Sequence, residues 1–360
     1  IDVEPQKINP MLFDFQRDIV LWALKKGRAA IFAGCGLGKT FMQLEWGKHV
    51  HKHTQGDVLI LAPLAVSKQT KDEGQKIDIE VHLCRSQNDV KPGINITNYE
   101  MLHHFNPDKF TAIILDESSI LKSYNGKTRT EIIDAFKNTP FRLACTATPA
   151  PNDYMELGNH SEFLGVMTRA EMLSMFFVHD GGDTQKWRLK GHAVKRFWEW
   201  VASWAVMLQK PSDLGYSDDG FELPPLNIKQ VTVKVDQPNT GGLFAVEALT
   251  LQERQTARRE TSEDRAAACA EIVNPSDESW INWCNLNLES ELLTKFIDGS
   301  VEIRGSDTNE KKEQVAKEFI SGQVKKLISK PSIFGWGMNW QHCHNMTFVG
   351  LSDSFEEIYQ

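Results

Sequence analysis

The stretch RAAIFAGCGLGKT, residues 28–40, constrains the fold more than any other part of the sequence. RAAIFA predicts a short buried strand, and the run from Ala33 to Thr40 fits the phosphate-loop spacing, with Ala33 in the first small position. Small residues let backbone N–H groups curl around a phosphate, and the helix that opens behind them adds positive potential. In that geometry Gly34, Cys35, Gly36, Leu37 and Gly38 form the cradle. Lys39 would reach the β- and γ-phosphates, and the Thr40 hydroxyl would ligate Mg²⁺.

The surrounding pattern is strand, loop, helix, repeated. DVLILAP (57–63), INITNY (94–99), TAIILDE (111–117) and FRLACTA (141–147) read as further buried strands. Thr40–Val50 and Thr128–Asn138 read as helices between them. Such alternation implies a parallel sheet covered on both faces, with ligands at the carboxyl ends of its strands. TAIILDE delivers Asp116 and Glu117 to that end. Asp116 is placed to hold Mg²⁺, and Glu117 to orient and deprotonate a water. Phe15-Gln16 precedes the loop strand, and a glutamine amide there can pair with the adenine edge.

From about residue 166 the texture changes. EMLSMFF and FWEWVASWAVML carry Met, Phe and Trp at spacings that suit packed helices, and PSDLGYSDDGFELPPL (211–226) reads as a linker. SWINWCNL, SVEIRG, KKLISKP and MTFVGLS then form a second alternating set around the helical stretch Asn309–Ser321. The expected architecture is α/β: a parallel-sheet lobe over 1–165, a helical insertion and linker over 166–222, and a second lobe over 223–360.

Bulk properties narrow the function. A net charge of −8 argues against coating nucleic acid by bulk electrostatics but leaves room for a local basic groove. The segment holding Lys186, Arg188, Lys190, Lys195 and Arg196 is either such a place or a solvated basic face. Six scattered cysteines without a Cys-x-x-Cys pair point to a reduced, cytoplasmic protein. The absence of an initiator Met suggests that the natural N-terminus lies upstream. His342, Cys343 and His344 are adjacent and cannot wrap one zinc ion, since the middle side chain of a strand points away from the other two. His49, His51 and His53 read as the solvated end of a helix.

With DESS at 116–119 and TATP at 146–149, the ordered set resembles a superfamily 2 helicase motor, closest to its Swi/Snf-type branch and to phage- or prophage-encoded members. LAPLAV and ITNYE resemble its motifs Ia and Ib, and TATPAPNDYMEL and FELPPL its later signatures, with Ser119 in place of the family's His. INWCNLNLESELL, RGSDTNEKKEQVAKEF and SKPSIFGWGMNWQHCHN resemble the second-lobe motifs. The resemblance implies two RecA-like P-loop lobes, ATP and Mg²⁺ as cofactors, and sequence-independent action on duplex or branched DNA. Thr146 and Thr148 would couple phosphate state to lobe movement. Pro63, Thr97, Asn98 and Tyr99 would track one DNA strand, with Ser306, Lys330, Asn339 and Trp340 from the second lobe, and His342 to His344 packed behind them. The family's arginine motif would fall beyond Gln360, so the second lobe is expected to continue past it. An RNA helicase and a nucleotide-gated DNA-binding module with little turnover are the alternative readings.

Overall fold

The computed structural model describes the chain except for residues 65, 124–125, 181–182, 234–249, 336–337, 339, 352–353, 355, 357 and 359–360. It divides into two compact units, Ile1–Leu223 and Pro224–Gln360.

In the first unit the apolar runs become strands: β1 (Arg28–Ala33), β2 (Asp57–Ala62), β3 (Val81–Leu83), β4 (Ile94–Asn98), β5 (Phe110–Asp116) and β6 (Phe141–Thr146). A hairpin of β7 (Phe177–Asp180) and β8 (Asp183–Leu189) stands apart, and β9 (Ala205–Leu208) closes the set. Seven of these strands form one parallel sheet in the order β3-β4-β2-β5-β6-β1-β9. Alternate side chains leave its two faces. Ile31, Ile60, Ile96 and Ile114 pack under α1 (Asp14–Lys26), α2 (Lys39–Thr54) and α3 (Val66–Lys76). Phe32, Leu59, Ile113 and Ala144 pack on the other side with α4 (Lys127–Phe136), α5 (Leu157–Leu164), α6 (Arg169–Phe176) and α7 (Val194–Trp204). Both faces are covered, so the strands read as continuous apolar runs.

The segment after residue 166 is not wholly helical. The α7 helix stops at Trp204, the backbone turns extended at Ala205, and β9 pairs with β1 from Ala30↔Ala205 to Ala33↔Leu208. The β1 edge otherwise presents unpaired N–H and C=O groups, and satisfying them outweighs the helical spacing of WAVML. His49 also departs from expectation. It is buried, with Nε2 2.9 Å from the fully buried Glu45 carboxylate, while His51 Nδ1 lies 2.8 Å from the Gly56 carbonyl.

In the second unit, α8 (Leu251–Glu260) and α9 (Ser262–Val273) precede β10 (Trp280–Trp283). Then come α10 (Asn287–Phe296), β11 (Ser300–Glu302), α11 (Asn309–Ile320), β12 (Lys326–Ser329), α12 (Pro331–Phe334) and β13 (Asn345–Phe348). The strands form a parallel sheet in the order β11-β12-β10-β13. Its organising polar contact is the Glu289 carboxylate, fully buried, 2.7 Å from the Arg265 guanidinium. The same carboxylate accepts from the Asn285 and Leu286 backbone N–H groups, which starts α10. Among the described residues of the whole chain no helix is long and apolar enough to cross a membrane.

Two stability predictions follow from buried charge. Removing one partner strands the other in low dielectric. Arg265→Met should therefore destabilise the second unit by about 3 kcal/mol in denaturant unfolding. His160, on α5, is buried edge-on against Phe32, with Nε2 3.1 Å from the Ser118 hydroxyl. Burial lowers its pKa from 6.5 to about 4. Below pH 6.5 the unfolded chain takes up a proton that the folded chain refuses until about pH 4. Stability is therefore lost as pH falls through that window, by roughly 3 kcal/mol at its end. The difference between wild type and His160→Gln in melts from pH 7 to pH 4 isolates this share. A pH-independent difference would refute it.

Candidate nucleotide site

The loop between β1 and α2 has the backbone the sequence requires. Gly36 and Gly38 take φ of +80° and +75°, and Gly38 is the N-cap of α2. A side chain at Gly38 would also collide with the Gln16 amide, so only glycine fits there. Leu37 is buried, Cys35 is exposed, and the Gly34 N–H donates to the Leu208 carbonyl of β9 at 2.9 Å. The Lys39 ammonium leans back over the loop, donating to the Ala33 and Gly34 carbonyls at 3.0 and 3.4 Å.

Gln16 and Phe15, on α1, are each only 2% exposed. The Gln16 carbonyl accepts from the Phe13 N–H at 3.0 Å, and its amide donates to the Leu37 carbonyl at 2.9 Å. Gln16 thus ties the start of α1 to the loop. Phe15 packs against Tyr216 and Phe221, whereas Phe13 is 57% exposed, edge-on to Phe221. The aromatic surface open at this end belongs to Phe13, which the pairing of Phe15 with Gln16 hid.

Asp116 and Glu117 sit at the end of β5, as the strand pattern requires. Asp116 Oδ1 accepts from Gln43 Nε2 at 2.6 Å. Burial raises the Asp116 pKa, while the Gln43 hydrogen bond and the Lys39 charge oppose the shift. Glu117 is in the left-handed region, φ 52° and ψ 54°, a conformation uncommon for a residue with a side chain. Its Oε2 accepts from the Thr146 hydroxyl at 3.2 Å, and that hydroxyl accepts from the Thr148 N–H at 3.2 Å. Thr148, Thr146 and Glu117 therefore form one hydrogen-bonded chain from β6 to β5.

Two more groups complete the cluster. Gln43 lies three residues beyond Thr40 on the inner face of α2, and its only sequence signal is a polar residue between buried Met42 and Leu44. Glu73 on α3 accepts from Gln69 at 3.1 Å. Burial raises its pKa, with the Thr40 hydroxyl opposing and the Asp116 charge adding to the rise.

The residues expected along a nucleic-acid track divide. Thr97 is buried within β4, paired with Leu61 of β2. Tyr99 is buried as well, and its hydroxyl donates to the Asp116 carbonyl at 2.6 Å. Tyr99 therefore supports the carboxylate strand rather than a surface, because the polar end of a buried tyrosine needs an acceptor. Asn98 caps the turn that follows, accepting from the Met101 N–H at 3.1 Å, and Pro63 is half-buried. In the second unit Ser306 is exposed, and Lys330 is half-buried, donating to Asn287 Oδ1 at 2.7 Å. Asn339 lies outside the described residues. Trp340 is a core residue, 8% exposed and packed on Phe319, Phe334 and Trp283, whereas His342 and His344 are exposed. The expected order of surface tryptophan and packed histidines is reversed, because the indole buries far more apolar area.

Residues 9–151 match the family described as "Type III restriction enzyme, res subunit". Over 168 residues the chain is 24% identical to the human DNA annealing helicase and endonuclease ZRANB3, covering 42% of this chain and 15% of that protein. The chain therefore spans less than a sixth of that curated relative. The SWI2/SNF2 ATPase core of Sulfolobus solfataricus, solved in complex with dsDNA, superposes with a TM-score of 0.51 at 15% identity. That match covers 96% of this chain and 83% of the other. In fold, the chain resembles that SWI2/SNF2 ATPase core, with two α/β units each built on a parallel sheet.

Proposed function

We propose that the chain is an ATP-dependent DNA motor, which hydrolyses ATP to move along or remodel duplex or branched DNA. The observation that carries this is the convergence of Lys39, Asp116, Glu117 and Thr146 at the carboxyl ends of β1, β5 and β6. The named actions of the relatives, an annealing helicase and a core bound to dsDNA, support the choice of DNA.

The residues present fit a nucleotide and its divalent ion. A glycine cradle, a helix N-terminus and a lysine ammonium resting on two loop carbonyls suit phosphate. Thr40 and Asp116 would hold Mg²⁺, which when bound offsets phosphate charge. Glu117 accepts the proton of the attacking water, and Thr146 orients that carboxylate. Thr148 passes a change at Glu117 to the loop after β6. Gln16 retains one N–H and one lone pair beyond its two protein bonds, enough for an adenine edge. Phe15 contributes by packing. In this reading residues 1–165 form the ATP-binding lobe together with β9 and the stretch to about 222, residues 166–204 are an insertion within it, and 223–360 form the second lobe. Asn98, Pro63, Ser306, Lys330 and Asn339 remain the DNA-facing residues of this reading.

Glu117→Gln should lower kcat for ATP by about 10²-fold or more while leaving ATP binding intact. The assay is turnover with and without duplex, forked and single-stranded DNA. Unchanged turnover, or the absence of DNA stimulation, would overturn the proposal, and stimulation by RNA alone would favour an RNA helicase. ATP should be used in preference to GTP, and Gln16→Ala should narrow that preference about tenfold. Equal use of both nucleotides by the wild type would remove the adenine role.

A further inference from the structure

One side chain outside the recognised motifs grips Asp116. Gln43 is fully buried on the inner face of α2 and donates Nε2 to Asp116 Oδ1 at 2.6 Å. The other end of its carboxamide, Oε1, is buried without a hydrogen-bond partner among the described residues. Buried carboxamides normally satisfy both ends, so this oxygen calls for a donor. Turning the amide over would set Oε1 against the Asp116 oxygen, acceptor against acceptor, so the orientation is fixed. The Cys145 thiol, opposite Asp116 in the β5–β6 register, offers only a weak donor and leaves the need unmet.

Resting on the nucleotide reading above, we propose that Gln43 is a positioning residue for the divalent ion. Its amide occupies Asp116 Oδ1 and so presents Oδ2 to the ion, while its Oε1 accepts from a water in the ion's coordination shell. Magnesium suits this arrangement because it dehydrates reluctantly and keeps several waters beside one or two carboxylates. A water on a divalent cation is a stronger donor than a bulk water, since the ion withdraws charge from it. Groups that orient a metal ligand from behind typically change metal affinity by roughly 10–100-fold when removed. Glu73, facing Thr40 from α3, borders the same space and adds a second carboxylate to it.

The test separates metal positioning from both folding and chemistry. Binding of a fluorescent ATP analogue is titrated against Mg²⁺ in the full chain, comparing wild type with Gln43→Met and with the shorter Gln43→Asn. Both variants should raise the half-saturating Mg²⁺ concentration by about tenfold or more. Analogue binding in EDTA should stay near wild type, while loss of the bond to buried Asp116 lowers the melting temperature of the folded variants by a few degrees. An unchanged Mg²⁺ midpoint in either folded variant would overturn the proposal. So would loss of metal-free binding in parallel with Mg²⁺ dependence, or failure of both variants to fold, since either result makes Gln43 a structural residue. If the wild type bound no analogue at any Mg²⁺ concentration, the nucleotide reading itself would fall, and this proposal with it.

Discussion

The site depends first on the register of three neighbouring parallel strands. Phe32 pairs with Thr146, and Asp116 with Cys145, so the ends of β1, β5 and β6 stand level. That alignment sets the phosphate loop, the carboxylate pair and the threonine within reach of one another. In a parallel sheet covered on both faces, a slip of one residue would exchange the two buried faces along a whole strand. Ile31 and Phe32 lie in different core layers, so such a slip would set each against the wrong helices. The cores above and below the sheet thus fix the chemistry at its edge.

What could be read in the sequence follows from which signals are local. Five strands of the first sheet were legible because each is a short apolar run ended by a polar, Gly or Pro residue. The phosphate loop was legible because its conformation demands glycine at fixed positions, as the φ values of Gly36 and Gly38 show. Neither signal depends on distant partners. β9 was hidden because its strand character comes from the free edge of β1, more than 170 residues earlier in the chain. The buried roles of Tyr99 and Trp340 were hidden for the same reason: an aromatic near a motif looks alike in sequence whether it faces a ligand or a core. Gln43 left a faint trace, a polar residue in an apolar stripe, which acquires meaning only once Asp116 is placed opposite it.

Polar groups inside this protein mostly serve backbone. Among the described residues Arg142 has no carboxylate partner; it is buried and donates to the carbonyls of Thr139, Lys137 and Phe163, joining the start of β6 to the end of α5. Burial, with Arg28 nearby, lowers its pKa to about 10, still far above neutrality, so it stays charged. Glu289 does the corresponding work in the second unit, gathering two N–H groups and one guanidinium. The carboxylates at the end of β5 differ. They accept from side chains of α2 and β6, and those bonds can be exchanged for a ligand without unravelling a strand.

The return of the chain to the first sheet limits how this protein can be divided. β9 completes the edge beside the phosphate loop, its Leu208 carbonyl receives the Gly34 N–H, and Phe221 covers Phe13 and Phe15. The stretch from 166 to 204 is therefore a detour between two parts of one folding unit, not an appendage. A fragment ending near residue 165 would bare an edge strand at the loop and open an apolar face on α1. The first compact unit runs to Leu223, and the detour is bound into it, since α6 and α7 cover one face of its sheet with Phe176, Phe197 and Trp204.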